Sequence, residues 1–332
     1  MNSTTFARRA AVCAASVALA AGALLGLGAT EKAAAVTPPA YDHVVVAVFE
    51  NHSYSEVVGG SATGSAVPIS GSGGAAAAPY LSGLAAAGAN FTQSFAIEHP
   101  SQPNYLDLFS GSNQGVTSDN CPQSFTGVAN LGSDLIGAGK TFTGYSEAMP
   151  SDGYTGCSSG TYYRKHNPWV NFDNVPAASN RTFAAFPQGP AADFTTLPTV
   201  SFVVPDICND MHDCSVSTGD TWAKNHLDAY AQWAKTHNSL LIVTFDEDDI
   251  SAANQIPTIF YGAGVTTGNY PERINHFSVL RTLEDMYGLP HNGSAAAATP
   301  ITDAFGAGPG PTTTPTTTGS GSGALPCVLS AC

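Results

Sequence analysis

The sequence predicts a layered α/β/α domain with a mainly parallel central sheet, and three observations predict it. Two long apolar runs, Val44-Val45-Val46-Ala47-Val48-Phe49 and Leu240-Leu241-Ile242-Val243-Thr244-Phe245, lack a polar face and read as strands covered on both sides. Helical patterns alternate with strand-like runs along the chain, as in a mainly parallel sheet. Hydrophobic residues make up 43% of the 332 residues, enough for one large α/β domain.

The first strand spans 43–49. A helix is expected around 79–87, a strand near 90–97, and a helix that begins at about Ser101 and runs through Leu108. Further strands fit 141–147, 199–205, 239–245 and 256–261. From Asp220 to His237, Trp222, Leu227, Tyr230, Trp233 and Ala234 form a helical stripe behind Asp220 as N-cap. A last helix covers 276–287, with Phe277, Leu280, Leu283 and Met286 facing inward. Residues 59–78, rich in Gly, Ser and Ala, read as a mobile surface loop, and no internal repeat is found.

Both ends differ from this domain. Arg8 and Arg9 precede a charge-free stretch from Ala10 to Thr30, and Ala33-Ala34-Ala35 offers small residues for cleavage, the layout of an export signal over 1–35. The rival is a membrane anchor, which the Ala and Gly richness argues against. The domain then covers 36–305, and 306–332 is a Thr/Pro/Gly/Ser-rich tail suited to a linker or to attachment at the cell wall. Six cysteines follow the signal, an even number that argues for disulfides in an exported chain; neighbour pairing gives Cys121–Cys157, Cys208–Cys214 and Cys327–Cys332. A zinc site is the rival, but no CxxC spacing is present. Without residues 1–35 the chain carries 24 acidic against 8 basic residues. No basic patch exists to hold a nucleic-acid backbone, and no membrane anchor is expected after cleavage.

The chemistry concentrates at strand ends. The first apolar run leads directly into Glu50-Asn51, the other into Asp246-Glu247-Asp248-Asp249. In parallel sheets the ligand site lies at the carboxyl ends of the strands, and two ends carrying hard oxygen donors suggest one metal site. An acidic strand end also serves merely to terminate a strand in water. His99-Pro100-Ser101-Gln102-Pro103-Asn104-Tyr105 places Ser101 at a helix start, where the dipole favours an anionic nucleophile; a plain N-cap serine is the other reading. His166, His212 and His276 stand in polar contexts rich in Gly, Pro or Asn, fit either for a site or for structural hydrogen bonds.

These segments together resemble the bacterial phosphoesterase family of exported acid phosphatases and phospholipases C, with its alkaline-phosphatase-like fold. The resemblance covers about 41–305 and rests on Phe49-Glu50-Asn51-His52, the segment His99 to Tyr105, Arg164-Lys165-His166-Asn167-Pro168, Asn209-Asp210-Met211-His212-Asp213, Thr244-Phe245-Asp246-Glu247 and Asn275 to Thr282. It implies that Glu50, Asn51, Ser101, Asp246 and Glu247 bind metal, that Ser101 is the nucleophile, and that His166, His212 and His276 line a phosphate pocket. An oxygen-rich set suits Ca²⁺, Mg²⁺ or Mn²⁺, with iron or zinc as alternatives. Cationic histidines would offset phosphoryl charge and predict an acidic to neutral optimum.

One departure is the short run Asp248-Asp249-Ile250-Ser251-Ala252-Ala253-Asn254, without the glycines and later Asp-His of the phospholipase branch. It puts a two-metal arrangement in doubt, though Asp206 or Asp210 with His212 and His276 could build a second site. The expected activity is an exported metal-dependent phosphomonoesterase acting on a small phosphate ester. A phospholipase C-type phosphodiesterase and a non-catalytic surface-binding protein are the alternatives.

Overall fold

The computed structural model describes residues 37–59 and 74–306. The predicted signal over 1–35, most of the Gly/Ser/Ala loop, the tail beyond 306 and the Cys327–Cys332 pairing lie outside the described residues. Ten strands are present: β1 (His43–Phe49), β2 (Ala89–Phe95), β3 (Phe142–Ser146), β4 (Ser158–Ser159), β5 (Tyr162–Tyr163), β6 (Asn180–Thr182), β7 (Val200–Val204), β8 (Ser239–Phe245), β9 (Thr258–Gly262) and β10 (Gly268–Asn275). The helices are α1 (Tyr54–Val57), α2 (Pro79–Ala87), α3 (Ser101–Ser110), α4 (Leu131–Gly137), α5 (Val216–Ala234) and α6 (His276–Tyr287). Eight strands form one sheet in the order β10-β2-β9-β8-β1-β7-β3-β6, in which only β9 runs antiparallel to its neighbours; β4 and β5 pair apart as a small hairpin.

The period of two in a strand explains how one apolar run serves two cores. Val44, Val46 and Val48 of β1 pack on one face with Leu106 and Phe109 of α3, Leu131 of α4 and Leu283 of α6. Val45, Ala47 and Phe49 pack on the other with Leu81 of α2 and Trp222, Leu227 and Tyr230 of α5. Each such aliphatic side chain taken fully from water contributes about 1.5–3 kcal/mol. The layered α/β/α expectation is met, with a mainly parallel sheet at its centre. No helix among the described residues is long and apolar enough to cross a membrane.

Local chemistry sets the helix ends. Asn275 caps α6 by accepting from Ser278 N, and Gly288 closes the same helix at φ 63°, a left-handed turn that glycine adopts without strain. α5 begins earlier than expected, capped by Ser215. Asp220, expected to cap that helix, lies inside it and caps another: its carboxylate accepts from Tyr80 N (3.1 Å) and Leu81 N (2.8 Å) at the start of α2. The disulfides Cys121–Cys157 and Cys208–Cys214 are formed as expected.

Gly144 of β3 shows how tightly the first core closes. A Cβ at this position would lie 2.0 Å from Cε2 of Trp169, itself buried with its indole N–H on Asn180 Oδ1 (2.9 Å). Gly144→Ala should therefore lower the unfolding free energy by about 1–3 kcal/mol or more. Urea-induced unfolding monitored by tryptophan fluorescence checks this; an unchanged midpoint would mean that the ring moves aside at no cost.

Candidate active site

The central strands bring the two acidic ends together. β1 and β8 are parallel neighbours in register, Phe49 opposite Phe245, so the residues that follow emerge side by side. Asp246 N donates to Phe49 O (3.0 Å), and Asn51 N donates to Asp246 Oδ1 (3.1 Å). Asn51 adopts φ 50°, a left-handed conformation that asparagine tolerates better than most residues. From the end of β2 the chain turns into α3, and Asn104 holds that turn: its Oδ1 accepts from Ile97 N and Glu98 N, while its Nδ2 donates to Glu98 O (2.7 Å).

Ser101 is the first residue of α3, and its hydroxyl lies 3.0 Å from Glu50 Oε2 and 3.1 Å from Glu247 Oε1. One turn later Tyr105 donates to Glu50 Oε1, and its ring stacks on His166 at 5.3 Å. His99 Nδ1 lies 2.7 Å from Glu247 Oε2, and His99 Nε2 lies 3.4 Å from Asp248 Oδ1.

The loop after β7, clamped by Cys208–Cys214, supplies Asp210 and His212. Asp210 O accepts from Glu50 N (2.9 Å), and its Oδ1 accepts from His212 N (2.8 Å). Its Oδ2 lies 3.4 Å from His166 Nδ1, while His166 Nε2 lies 3.1 Å from Glu50 Oε1. His276, the first residue of α6, has Nε2 at 2.7 Å from the carbonyl of Asp246 and must donate there, which leaves Nδ1 as the acceptor. His212 is partly exposed, pairs with Asp213 Oδ1 (2.8 Å), and has its ring centre 6.3 Å from that of His166.

Crowded acids out of water resist ionisation. Burial, then the charges of Asp246 and Asp210, pushes Glu50 well above the usual carboxylate range. Burial likewise raises Asp210 and Asp246, and burial with the Asp246 charge brings Glu247 up to about 8. The rings beside them go the opposite way. Burial, with the Lys165 and His212 charges behind it, holds His166 well below its ordinary value, and burial lowers His276 to about 4. The expectation of cationic histidines is corrected for both: low-dielectric surroundings keep them neutral, so an acidic optimum cannot rest on these two rings.

Neutral imidazoles and crowded carboxylates are the donor set a divalent cation takes. Glu50, His166 and Asp210, all buried, each offer a ligand atom, and these atoms lie within 4.8 Å of one another. Asp246 Oδ2 and His276 Nδ1 are buried without a hydrogen-bond partner, and His166 Nε2 and Asp210 Oδ2 have only the close charge contacts above without hydrogen-bond geometry, as expected of atoms reserved for an ion. The residues present therefore fit a metal.

The structure gathers Glu50, Asn51, Ser101, Asp246 and Glu247 at the carboxyl end of the central strands, with His166 and His276 against them and His212 at the margin. Asp206, an alternative for a second site, instead caps its own turn, accepting from Cys208 N and Asn209 N. Asp210 belongs to the cluster. Tyr105, His99 and Lys165 were not singled out, although Tyr105 lies four residues after Ser101 and so shares its helical face.

Comparison with known proteins identifies the family. The sequence profile of the Phosphoesterase family matches residues 74–290. A phosphatidylinositol-3-phosphatase of Mycobacterium tuberculosis is 50% identical over 273 residues, 82% of this chain and 86% of that protein. An acid phosphatase of Aspergillus fumigatus is 30% identical across 66% of this chain, which spans 53% of the fungal protein. Among solved structures, a protein in the alkaline phosphatase superfamily from Vibrio parahaemolyticus matches 80% of this chain and 72% of its own length with a TM-score of 0.54; at 14% identity the likeness is one of fold. The profile spans more than half the chain and the mycobacterial relative is half identical, so the chain belongs to the phosphoesterase family and is a hydrolase acting on phosphoric ester bonds.

Proposed function

We propose that the chain is an exported, metal-dependent phosphomonoesterase with Ser101 as its nucleophile. The observation that carries this reading is the Ser101 hydroxyl, held between Glu50 and Glu247 at the first residue of a ten-residue helix. Export is supported by Arg8-Arg9 before an apolar stretch and by two disulfides, bonds that persist in oxidising compartments. The name of the mycobacterial relative makes the phosphomonoester of an inositol lipid the first natural substrate to test.

A divalent ion held by Glu50, Asp246 and Glu247 beside Ser101, with Asn51 close by, or by Glu50, Asp210 and His166, would lower the pKa of the seryl hydroxyl and polarise a phosphoryl oxygen. Ser101 Oγ attacks phosphorus, its proton passing to one of the two carboxylates at hydrogen-bond distance, and the ester oxygen leaves. In this reading His212, which pairs with Asp213 and is partly exposed, gives that oxygen its proton. Water then attacks the phosphoseryl group, inorganic phosphate departs, and Ser101 recovers its proton. His276 orients Asp246 through the main chain, and Tyr105 orients Glu50.

Ser101→Ala should lower turnover of para-nitrophenyl phosphate by roughly a thousandfold or more with the thermal melt unchanged. Retention of activity within a few-fold would remove Ser101 as nucleophile. Comparing a phosphomonoester, a phosphodiester and phosphatidylcholine separates the proposal from the phospholipase C alternative, and the monoester should be hydrolysed fastest.

Chelation should abolish activity and lower the melting temperature, since an ion bound only to the folded chain stabilises it by about 2.7 kcal/mol at a hundredfold excess over its dissociation constant. Glu50→Gln and Asp246→Asn should weaken that response. A melt unmoved by verified metal removal would break the link between ion and fold.

The chelated protein should also lose stability as pH rises from 6.5 to 8. Burial lowers His166 and His276, so stability rises as their unfolded imidazoles lose protons near 6.5, an opposing change that is smaller and mostly over by about pH 7.5. Glu247 and Asp107, the latter raised by burial and then by the Glu98 charge, titrate near 8 in the folded chain against 4.5 and 3.8 ordinarily. Across that window the folded chain binds more protons than the unfolded one, so stability falls with pH. A melting temperature rising between pH 6.5 and 8 in chelator would contradict the sign.

A further inference from the structure

A phosphate monoester reaching this site meets Glu50, Asp210, Asp246 and Glu247 together, on a domain with three times as many acids as bases after residue 35. Eight lysines and arginines occur between 37 and 306. Arg164, beside the site in sequence, is committed to structure: Nε donates to Asn171 Oδ1 (3.1 Å), and the Nη atoms donate to Thr155 O (2.7 Å) and Gln123 O (2.8 Å). Its neighbour Lys165 is differently placed.

Lys165 is largely buried, with its side chain 14% exposed, and its charge acts on Glu50, Asp210, Asp246 and Glu247. Its ammonium lies 2.7 Å from Asp119 Oδ2, and Asp119 Oδ1 accepts from Gln102 N (3.0 Å), the residue next to Ser101. The ammonium is thus tied by one carboxylate to the first turn of α3, on the chain segment that also brings His166 to Glu50. Asp119 takes one of its three N–H donors, which leaves two for an incoming oxygen. Four methylene groups let the ammonium shift without moving the main chain.

We propose that Lys165 is a substrate-binding residue that reads the second negative charge of a phosphate monoester, and that Asp119 holds it ready when no substrate is bound. The inference rests on the phosphomonoesterase reading above and adds the group that selects monoesters. A monoester carries a charge between −1.5 and −2 near pH 7, whereas a diester carries one negative charge. A fixed cation against the terminal oxygens therefore favours the monoester. Arginine at the same place would keep the charge and lose the compact point of contact.

The test uses the metal-loaded full chain with Lys165→Met, Lys165→Arg and Asp119→Asn, on para-nitrophenyl phosphate and methyl para-nitrophenyl phosphate, with orthophosphate as inhibitor. Lys165→Met should lower kcat/KM for the monoester roughly a hundredfold while the diester changes less than about threefold, and inhibition by orthophosphate should weaken in parallel. Lys165→Arg should recover part of the monoester rate. Asp119→Asn should keep the monoester preference and bind orthophosphate at least as tightly as the wild type, because it frees the ammonium. If Lys165 only anchors the loop through Asp119, Lys165→Met and Asp119→Asn will lower both substrates alike, and the proposal fails. Should Lys165→Met not fold, weakened orthophosphate binding by Asp119→Asn overturns the proposal without it. A wild type inactive on both esters would instead sink the phosphomonoesterase reading, and orthophosphate binding by calorimetry would still decide the role of Lys165.

Discussion

The functional end of this molecule depends on holding four carboxylates, Glu50, Asp210, Asp246 and Glu247, together out of water. Taking one such ion into a protein interior costs several kcal/mol, and mutual repulsion adds to it. The chain resolves this with protons or a cation in the cluster, and with polar partners on fixed elements around it. Tyr105, the Ser101 hydroxyl and the main-chain N–H of Asn51 each hold one carboxylate oxygen in place. A loosely held cluster would spread toward solvent; this one cannot, because every member stands at the end of a strand or in a cross-linked loop.

Sheet direction and helix polarity converge on the same point. Parallel strands end at one edge, where β1 and β8 deliver their acids. The helices that follow β2 and β10 start at that edge, so α3 opens with Ser101 and α6 with His276. Their N-termini carry the positive ends of the helix dipoles, which favours negative charge on the ligand side. The two helices pack against each other, which couples the position of the hydroxyl to that of the ring.

Much of this was legible in sequence because buried strands declare themselves by composition. β1, β8, α2 and α6 have the bounds that the apolar patterns suggest. β10 escaped because it is an edge strand: Gly268–Asn275 mixes exposed polar residues with Pro271, which an edge tolerates and a central strand does not. The direction of β9 escaped because an antiparallel strand buried on both faces has the same pattern as a parallel one. At the site, residues next to strand ends were readable from pattern, whereas His166 and Asp210, named through the family resemblance for a phosphate pocket and a second metal site, meet Glu50 only through space, 116 and 160 residues away in sequence, so their meeting was not legible. Asp220 misled because an N-cap residue and a carboxylate capping a neighbouring helix look alike in one dimension.

The reversal of β9 also has a bearing on how freely the chain beside the acids can vary in length. Parallel neighbours must be joined across a face of the sheet, but β8 and β9 are antiparallel, so the chain returns directly between Phe245 and Thr258. That return carries Asp246 and Glu247 at its root. Asp248 then seals it by accepting from the N–H groups of Ile250, Ala252 and Asn254. Beyond this seal the loop borders the acids without supplying them, and lengthening a loop costs little closure entropy. Its tip can therefore change length while Asp246 and Glu247 stay where the strands put them.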